Sequence, residues 1–345
     1  MQHQHYMQRA LQLAAQAKGN VAPNPMVGCV IVYNDVIIAE DYHRNYGQAH
    51  AEVNAINKIK EKNILAQCTV YVSLEPCAHF GKTPPCANLL IQHNVKHVVV
   101  ATLDPNPLVA GKGVAMLRKA GITVEVGVLE NEAKQLNKRF FVNQTTQLPF
   151  IVLKYAQSQN GYIAAITTNG KQPVAITNAH TNQLMHQLRA TEQAIMVGYN
   201  TVLIDNPSLT TRLIAGKNPT RIVIDYDSSL PLTSFFFDNN AKVIVINRLK
   251  TKVVQHINYL QIKKEDSLQS IFKLLYLQNI SSIIIEGGTQ LLQRCIDDNL
   301  WHEAIVITSN VVINNGYSAP VFNRKKCTRI TKVLNDTIAY YNSNL

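Results

Sequence analysis

The amino-acid sequence predicts an α/β fold divided into two domains. Its 345 residues exceed the roughly 150 that one domain commonly contains. Short apolar runs of the kind found in strands alternate with stretches whose apolar residues recur at helical spacing. Hydrophobic residues make up 46% of the chain, which is enough to bury a sizeable core and excludes a disordered, collagen-like or disulfide-stapled protein.

The first half predicts a mixed sheet with helices on both of its faces. A hairpin comes first, because the apolar runs Val27–Tyr33 and Val36–Ala39 flank the turn residues Asn34 and Asp35. Helices and strands alternate after this hairpin. The predicted elements are the helices Ala51–Ile59, Ala87–His93, Gly113–Ala120 and Asn131–Asn143, and the strands Thr69–Ser73, Lys96–Thr102 and Thr123–Val128.

A polar stretch, Gln144–Gln147, precedes Pro149 and predicts a domain boundary near residue 147. We therefore expect domains that span 1–147 and 148–345, with no internal repeat between them. The second half again alternates strands and helices, which predicts another α/β arrangement. Its predicted strands are Phe150–Ala156, Ala194–Tyr199, Arg221–Asp225, Lys242–Asn247, Ile283–Glu286 and Glu303–Ile313, and its predicted helices are His180–Ala190, Leu268–Leu277 and Leu291–Asp297.

The formal net charge of +11 is spread over both halves, with Arg324-Lys325-Lys326 as the one tight cluster in the sequence. Nucleic-acid-binding proteins usually concentrate basic residues in a patch, so this distribution favours a dispersed basic surface. The longest apolar runs are far shorter than the roughly 20 residues of a membrane span. No basic segment followed by an apolar one opens the sequence, and we expect a soluble, intracellular protein.

Residues with zinc-binding chemistry occur in two segments of the first half. His50 and Glu52 begin a predicted helix, and Cys77 and Cys86 share a proline-containing loop after the next strand. One imidazole and two thiolates supply three ligands to a tetrahedral zinc ion and leave the fourth position for water. Zinc lowers the pKa of that water, and a nearby carboxylate can carry its proton to a departing amine. The other cysteines are interpreted as apolar filler: Cys29, Cys68, Cys295 and Cys327.

The motif resembles the zinc-dependent cytidine deaminase superfamily, whose signature combines a histidine, a glutamate and two cysteines. Nucleic-acid deaminases usually have two residues between the cysteines, whereas this chain has eight. This longer loop, with the segments 22–29 and 104–107, resembles the deaminases of bacterial riboflavin biosynthesis over nearly all of 1–147. The resemblance implies an α/β/α fold, zinc bound by His50, Cys77 and Cys86, Glu52 as the proton shuttle, and a substrate pocket lined by Asn24, His43, Lys82, Asp104 and Asn106.

In the second half, the turn Glu286-Gly287-Gly288-Thr289 follows an apolar strand and precedes a helix, as anion-binding turns do. The segments 154–164, 188–190 and 200–212 resemble the riboflavin-pathway reductases, which implies a dihydrofolate-reductase-like α/β fold and NADPH as cofactor. The implied substrate residues are Arg189, Leu209, Arg212 and Glu286, and Lys154 and Glu286 are implied to assist opening of the sugar ring. The implied cofactor residues are Ala156, Ala175, Thr201, Asp205, Gly288, Thr289, Gln290, Leu291, Leu292, Gln293 and Arg294.

Two residues depart from the reductase pattern, which usually has aspartate at the position of Asn160 and tryptophan at that of Ala175. The combined resemblance implies two reactions on a phosphoribosyl pyrimidine, a zinc-dependent hydrolytic deamination and an NADPH-dependent reduction of the ribosyl group to ribityl. We expect a cytoplasmic enzyme that binds neither nucleic acid nor membrane, and a homo-oligomer is left open. The alternatives are an active deaminase with an impaired reductase half, and a deaminase that edits nucleic acids.

Overall fold

The computed structural model describes residues 2–78, 84–106, 109–167, 170–172, 174–321 and 327–343. The chain forms two compact units, Met1–Gln147 and Leu148–Leu345. None of the helices in these described segments combines the length and the hydropathy that a membrane crossing requires.

The first unit contains one five-stranded sheet and six α-helices in its described part. Its helices are α1 (Gln2–Ala15), α2 (Ala51–Asn57), α3 (Cys86–Gln92), α4 (Lys112–Lys119), α5 (Glu130–Leu136) and α6 (Lys138–Thr146). Its strands are β1 (Gly28–Tyr33), β2 (Val36–Tyr42), β3 (Thr69–Val72), β4 (His97–Val100) and β5 (Thr123–Val126).

The strand order β2-β1-β3-β4-β5 makes a mixed sheet, because β1 is antiparallel to both β2 and β3 while β3, β4 and β5 are parallel. Alternate residues of a strand face opposite sides of its sheet. Ile31 and Val70 accordingly belong to a core with α2, α3 and α4, whereas Val30 and Tyr71 belong to a second core with α1 and α5. The predicted mixed sheet with helices on both faces is confirmed.

Two features of this unit differ from the sequence-based expectation. Helix α1 was not predicted, although its buried residues Tyr6, Met7, Ala10 and Leu11 have the spacing of one helix face. The predicted single helix over 131–143 is two helices that meet at Asn137. The Asn137 side chain explains the break, because it accepts the backbone N–H of Met26 at 2.8 Å and donates to the Met26 carbonyl at 2.8 Å.

The described part of the second unit contains a ten-stranded sheet and a separate three-stranded sheet. Its helices are α7 (Ala179–Thr191), α8 (Tyr199–Asp205), α9 (Leu268–Leu277) and α10 (Thr289–Asp297). Its strands are β6 (Phe150–Gln157), β7 (Tyr162–Thr167), β8 (Gly170–Gln172), β9 (Ala194–Gly198), β10 (Thr220–Ile224), β11 (Val243–Asn247), β12 (Lys252–Val254), β13 (Ile257–Gln261), β14 (Ser282–Glu286), β15 (Glu303–Thr308), β16 (Gly316–Ser318), β17 (Cys327–Val333) and β18 (Asp336–Asn342).

The large sheet has the order β12-β13-β11-β10-β9-β14-β6-β15-β18-β17, and its strands from β13 to β15 are parallel neighbours. Central strands such as β11 and β14 are buried along their whole length, which matches their nearly continuous apolar sequences. Parallel strands end at the same edge of a sheet. The residues that follow β9, β10, β11 and β14 therefore meet along one edge.

The structure corrects several predictions for the second unit. The predicted strand 303–313 ends at Thr308, because the Ser309 side chain accepts the backbone N–H of Val311 at 3.1 Å and turns the chain away from the sheet. Helix α10 begins at Thr289 instead of Leu291. The short helix α8, the strands β7, β8, β12, β13 and β16, and the hairpin of β17 and β18 were not predicted.

Gly28 gives a test of packing in the first unit. A Cβ atom at this position would lie 2.0 Å from the Ala10 carbonyl oxygen, so Gly28→Ala must separate β1 from α1. We expect it to lower the free energy of unfolding of this unit by about 3 kcal/mol, measured by urea denaturation. Gly47→Ala is the comparison, because Gly47 has φ +79° and no heavy atom within 4 Å of an added Cβ. Gly47→Ala should lower the free energy of unfolding by about 1 kcal/mol. An equal loss in Gly28→Ala and Gly47→Ala would show that contact with α1 does not require glycine at position 28.

Candidate active sites

Three potential metal ligands converge in the first unit. His50 immediately precedes α2, Cys77 follows β3, and Cys86 is the first residue of α3. The His50 Nδ1 atom lies 3.7 Å from the Cys77 Sγ atom and 3.3 Å from the Cys86 Sγ atom. Ligand atoms bound to zinc at about 2.0–2.3 Å in a tetrahedron are about 3.5 Å apart. One nitrogen and two sulfur atoms at these separations fit a zinc ion with its fourth position open.

Electrostatics favour the ligand form of one thiol. Hydrogen bonds with Cys86 and with His50 lower the pKa of the Cys77 thiol, which favours its thiolate form. The Cys86 backbone N–H also donates to the Cys77 Sγ atom at 3.3 Å. Burial raises the pKa of the nearby Glu52 carboxyl to about 7, in a group that is only 3% exposed. A carboxyl group with such a pKa can accept and release a proton near neutral pH.

These residues open into a cavity of about 260 Å³. The sequence-predicted substrate residues among the described residues all line it, together with Glu52, His50 and Cys77: Asn24, His43, Asp104 and Asn106. Lys82 lies outside the described residues. Phe140 and Gln144 of α6 also line the cavity and were not predicted, because no local motif connects them with the zinc-binding loop.

Glu75 fixes the relative position of two loops at this cavity. It lies between β3 and Cys77 along the chain, and its side chain is buried. Its carboxylate accepts the backbone N–H groups of Asp104 at 3.1 Å, Gly111 at 2.9 Å and Val114 at 3.1 Å. Charge-assisted hydrogen bonds of this type are stronger than neutral ones. Glu75 therefore ties the loop of Cys77 to the loop of Asp104 and to the start of α4. Sequence reasoning missed this role, because the three N–H groups come from residues 29–39 positions further along the chain.

In the second unit, Lys154 of β6, Arg189 of α7 and Glu286 at the end of β14 form a buried cluster of charged side chains. Glu286 accepts two hydrogen bonds from Arg189, with a shortest distance of 2.7 Å, and its Oε2 atom lies 3.6 Å from the Lys154 Nζ atom. The three side chains are 10–15% exposed. Burial alone would raise the pKa of Glu286, but Lys154 and Arg189 lower it to about 2. Burial lowers the pKa of Lys154, which makes its ammonium a better proton donor.

Two adjoining cavities lie in this part of the second unit. The first, of about 390 Å³, contains the cluster itself and these further predicted residues: Ala156, Ala175, Thr201, Asp205, Leu209, Gly288 and Leu292. The second, of about 600 Å³, shares Thr201 and Gly288 with the first and adds Thr289, Gln290 and Leu291. Most residues that the resemblance implied for cofactor and substrate therefore surround two adjoining cavities.

Three predicted residues do not line either cavity. Gln293 and Arg294 lie on other faces of α10, where Gln293 accepts the backbone N–H of Val321 at 2.9 Å and Arg294 contacts Asp298 at 3.3 Å. Arg212 is exposed, and its guanidinium donates to the Ser208 hydroxyl at 3.3 Å. The backbone N–H of Arg212 donates to the Nδ1 atom of buried His186 at 3.1 Å, a contact between distant segments that sequence reasoning missed.

The two departures from the reductase pattern have different settings. Asn160 accepts the Ile313 backbone N–H at 3.2 Å and donates to the Ile313 carbonyl at 2.8 Å. An aspartate could not make the second bond, so Asn160 has a loop-anchoring role here. Ala175 is exposed and lines the smaller cavity, where it offers no ring for stacking.

The larger cavity has features that fit a dinucleotide. The hydroxyl of Thr201 is buried and forms no hydrogen bond with any described residue. A Cβ atom at Gly288 would lie 3.4 Å from this hydroxyl oxygen, and Gly288 has φ +75°, so glycine keeps the turn open. The turn leads into the N-terminus of α10, whose N–H groups suit a phosphate. These residues fit NADPH.

Glu286→Gln tests the buried cluster through the pH dependence of stability. At pH 7 the variant leaves two buried cations without their carboxylate, and we expect the free energy of unfolding of the second unit to fall by about 3 kcal/mol. The folded-state pKa of Glu286 is about 2, below its ordinary value of 4.5. Its contribution is therefore fully present above pH 4.5 and is lost as the pH falls towards 2.

The measurement is urea denaturation of wild type and variant at pH 7, 4 and 3. The difference between them should shrink towards the lowest pH, and a difference independent of pH would contradict the assignment. Glu265→Gln is the matched control, because Glu265 is an exposed glutamate of the same unit. Its substitution should change the free energy of unfolding by less than about 0.5 kcal/mol.

Two family models match the chain. Residues 1–102 match the "Cytidine and deoxycytidylate deaminase zinc-binding region", and residues 149–330 match the "RibD C-terminal domain". The expected fold class, an α/β deaminase-like domain followed by an α/β reductase domain, is confirmed by these matches.

Curated relatives and solved structures agree with the family models. The riboflavin biosynthesis protein RibD of Aquifex aeolicus is 40% identical over 91% of this chain and 88% of its own length. RibD of Actinobacillus pleuropneumoniae is 39% identical over 83% and 78%. A crystal structure from Thermotoga maritima described as a diaminohydroxyphosphoribosylaminopyrimidine deaminase/5-amino-6-(5-phosphoribosylamino)uracil reductase is 33% identical and has a TM-score of 0.89 over 99% of this chain and 98% of that one. The chain thus belongs to the RibD family of riboflavin biosynthesis proteins.

Proposed function

We propose that this protein catalyses two steps of riboflavin biosynthesis on one phosphoribosyl pyrimidine. The first unit hydrolytically deaminates 2,5-diamino-6-(5-phosphoribosylamino)pyrimidin-4(3H)-one. The second unit uses NADPH to reduce the ribosyl group of the resulting 5-amino-6-(5-phosphoribosylamino)uracil to ribityl. The observation that carries the proposal is the convergence of His50, Cys77 and Cys86 with buried Glu52 at one cavity.

For the deamination, His50, Cys77 and Cys86 hold zinc, which when bound lowers the pKa of a water molecule beside the pyrimidine. Glu52 accepts a proton from this water and delivers it to the amino group, which leaves as ammonia while the ring carbon gains an oxygen. Its burial in the cavity wall keeps the proton close to the reacting atoms. Asn24 and Asp104 line the same cavity and supply polar groups for the ring edge.

For the reduction, NADPH supplies a hydride to C1′ of the ribose when bound. Opening of the sugar requires a proton on the ring oxygen, and the Lys154 ammonium supplies it from within the smaller cavity. Glu286 lies 3.6 Å from the Lys154 Nζ atom and orients this group. Arg189 is bonded to Glu286 and lines the cavity, and Arg212 on the nearby exposed loop supplies a guanidinium for the substrate phosphate.

We propose a cytoplasmic location, because the reactants are a nucleotide cofactor and a phosphorylated intermediate and because all six cysteines are free thiols. A homo-oligomer is compatible with this assignment.

Cys77→Ala tests the metal site. The wild-type protein should contain about one zinc ion per chain, and the variant should lose most of it because only two ligands remain. Zinc is measured by metal analysis of the purified proteins. Cys327→Ala is the control, since Cys327 is exposed on β17 and should leave the zinc content unchanged. Undiminished zinc in Cys77→Ala would contradict the ligand assignment.

Glu52→Gln separates metal binding from proton transfer. The amide keeps the size of the side chain but cannot carry the proton, so we expect wild-type zinc content and at least about a hundredfold loss of ammonia release. Ammonia release at a rate near that of the wild type would show that another group moves the proton.

The two activities should respond to different substitutions. Given the deaminated substrate, Glu52→Gln should still oxidise NADPH at the wild-type rate, measured by absorbance. Arg212→Ala should weaken reduction about tenfold through loss of a charge-assisted phosphate contact, while ammonia release from the first substrate continues. Loss of both activities in both folded variants would indicate one composite site.

A further inference from the structure

The carboxyl edge of the large sheet carries the candidate cofactor site and extends beyond it. The parallel strands β14, β9, β10 and β11 are consecutive neighbours, so the residues after them form a row along this edge. The cavity of about 600 Å³ runs from Gly288 after β14, past Tyr199 after β9, to Tyr226 and Ser229 after β10. A dinucleotide with its nicotinamide beside Lys154 would place its adenosine at the β10 end, since ligands of α/β sheets bind outside the carboxyl ends of the strands.

The lining of this far end contains two acids, Asp225 and Asp227, and no lysine or arginine among the described residues. The carboxylate of Asp225 is buried and accepts the backbone N–H groups of Ser229 at 3.1 Å and Leu230 at 3.0 Å. Asp225 therefore stabilises the turn after β10. A phosphate group at this end would therefore require a cation from the next strand.

Arg248, the first residue after β11, supplies such a cation. Its guanidinium carbon lies 3.9 Å from the centroid of the Tyr226 ring, and its backbone N–H donates to the Tyr226 carbonyl at 2.9 Å. A guanidinium stacked on an aromatic face is held in place and keeps its N–H groups available at its edge. Its Nε atom is buried without a hydrogen-bond partner, and no ion pair joins Arg248 to an acid within the described segments.

We propose that Arg248 binds the 2′-phosphate of NADPH and gives this protein its preference for NADPH over NADH. The inference rests on the proposed reductase function and adds to it the residue that distinguishes the two cofactors. The 2′-phosphate is the one group that NADPH has and NADH lacks, and a guanidinium binds phosphate through charge-assisted hydrogen bonds. Tyr226 lines the cavity and carries the guanidinium, so it acts as the platform of this subsite.

The alternative is that Asp227 binds the ribose of the adenosine, which would favour NADH. This exposed carboxylate lines the same end of the cavity, and a carboxylate there can bind the 2′-hydroxyl of NADH and repel a phosphate. The two readings predict opposite cofactor preferences, so a binding measurement decides between them.

The test measures the dissociation constants of NADPH and NADH for the full-length protein without pyrimidine substrate, by titration calorimetry. Wild type should bind NADPH more tightly. Arg248→Ala should raise the dissociation constant of NADPH about 10–100-fold and that of NADH less than about threefold. Arg248→Lys keeps the charge but loses the planar fork, so its dissociation constant for NADPH should lie between those of wild type and Arg248→Ala. Adenosine 2′,5′-bisphosphate and 5′-AMP serve as smaller probes and should show the same contrast.

Lys250→Ala is the matched control. Lys250 is a cation two residues further along, and its Nζ atom lies 4.4 Å from the centroid of the Tyr259 ring. Its removal changes the net charge equally but should leave the ratio of the two dissociation constants unchanged. Urea denaturation of each variant, followed for the second unit, reports that the unit containing Arg248 is folded.

Three results would overturn the proposal. Unchanged dissociation constants for both cofactors in Arg248→Ala would show that Arg248 does not contact the 2′-phosphate. Equal weakening of both cofactors would show that Arg248 only supports Tyr226. A wild-type preference for NADH would assign the ribose to Asp227. Failure of the wild type to bind either dinucleotide would instead overturn the reductase function, on which the proposal rests.

Discussion

Parallel strands of one sheet must end at the same edge, and both candidate sites depend on this constraint. In the first unit the parallel strands β3 and β4 lead to the loops that carry Cys77 and Asp104. In the second unit β14 and β9 lead to the glycine turn and to α8 with Thr201. Residues that are far apart in the sequence therefore reach one cavity, because the strands that precede them are neighbours in the sheet.

Burial of charge is the second requirement, and each unit meets it differently. Glu286 stays ionised because Arg189 and Lys154 surround it, and removal of one partner from such a cluster leaves an uncompensated buried charge. Among the described residues no lysine or arginine forms an ion pair with Glu52, and burial raises its pKa to about 7, which suits it for proton transfer. In the proposed mechanism the same residue type therefore orients a neighbour in one unit and moves protons in the other, because the surroundings differ.

The sequence predicted those parts of the sites that lie within short motifs. His50 and Glu52 are separated by one residue and Cys77 and Cys86 by one loop, so their chemistry is readable without a structure. Contacts with a neighbouring strand or with segments more than 20 residues away define the roles of Glu75, His186 and Arg248. No local sequence pattern predicts such contacts. Among the elements, strands with a continuous apolar run such as β14 were predicted, whereas β8 and β16 have three residues each, too few to establish a period.

The central claim is that each unit carries its own complete chemistry, and removal of zinc tests it most directly. The purified protein would be treated with a chelator, and both reactions would be measured before and after addition of zinc. We predict that ammonia release from the diaminopyrimidine disappears and returns with zinc, while NADPH oxidation with the deaminated substrate continues at its original rate throughout. Parallel loss and recovery of both reactions would contradict the account, because it would place zinc in the reduction as well.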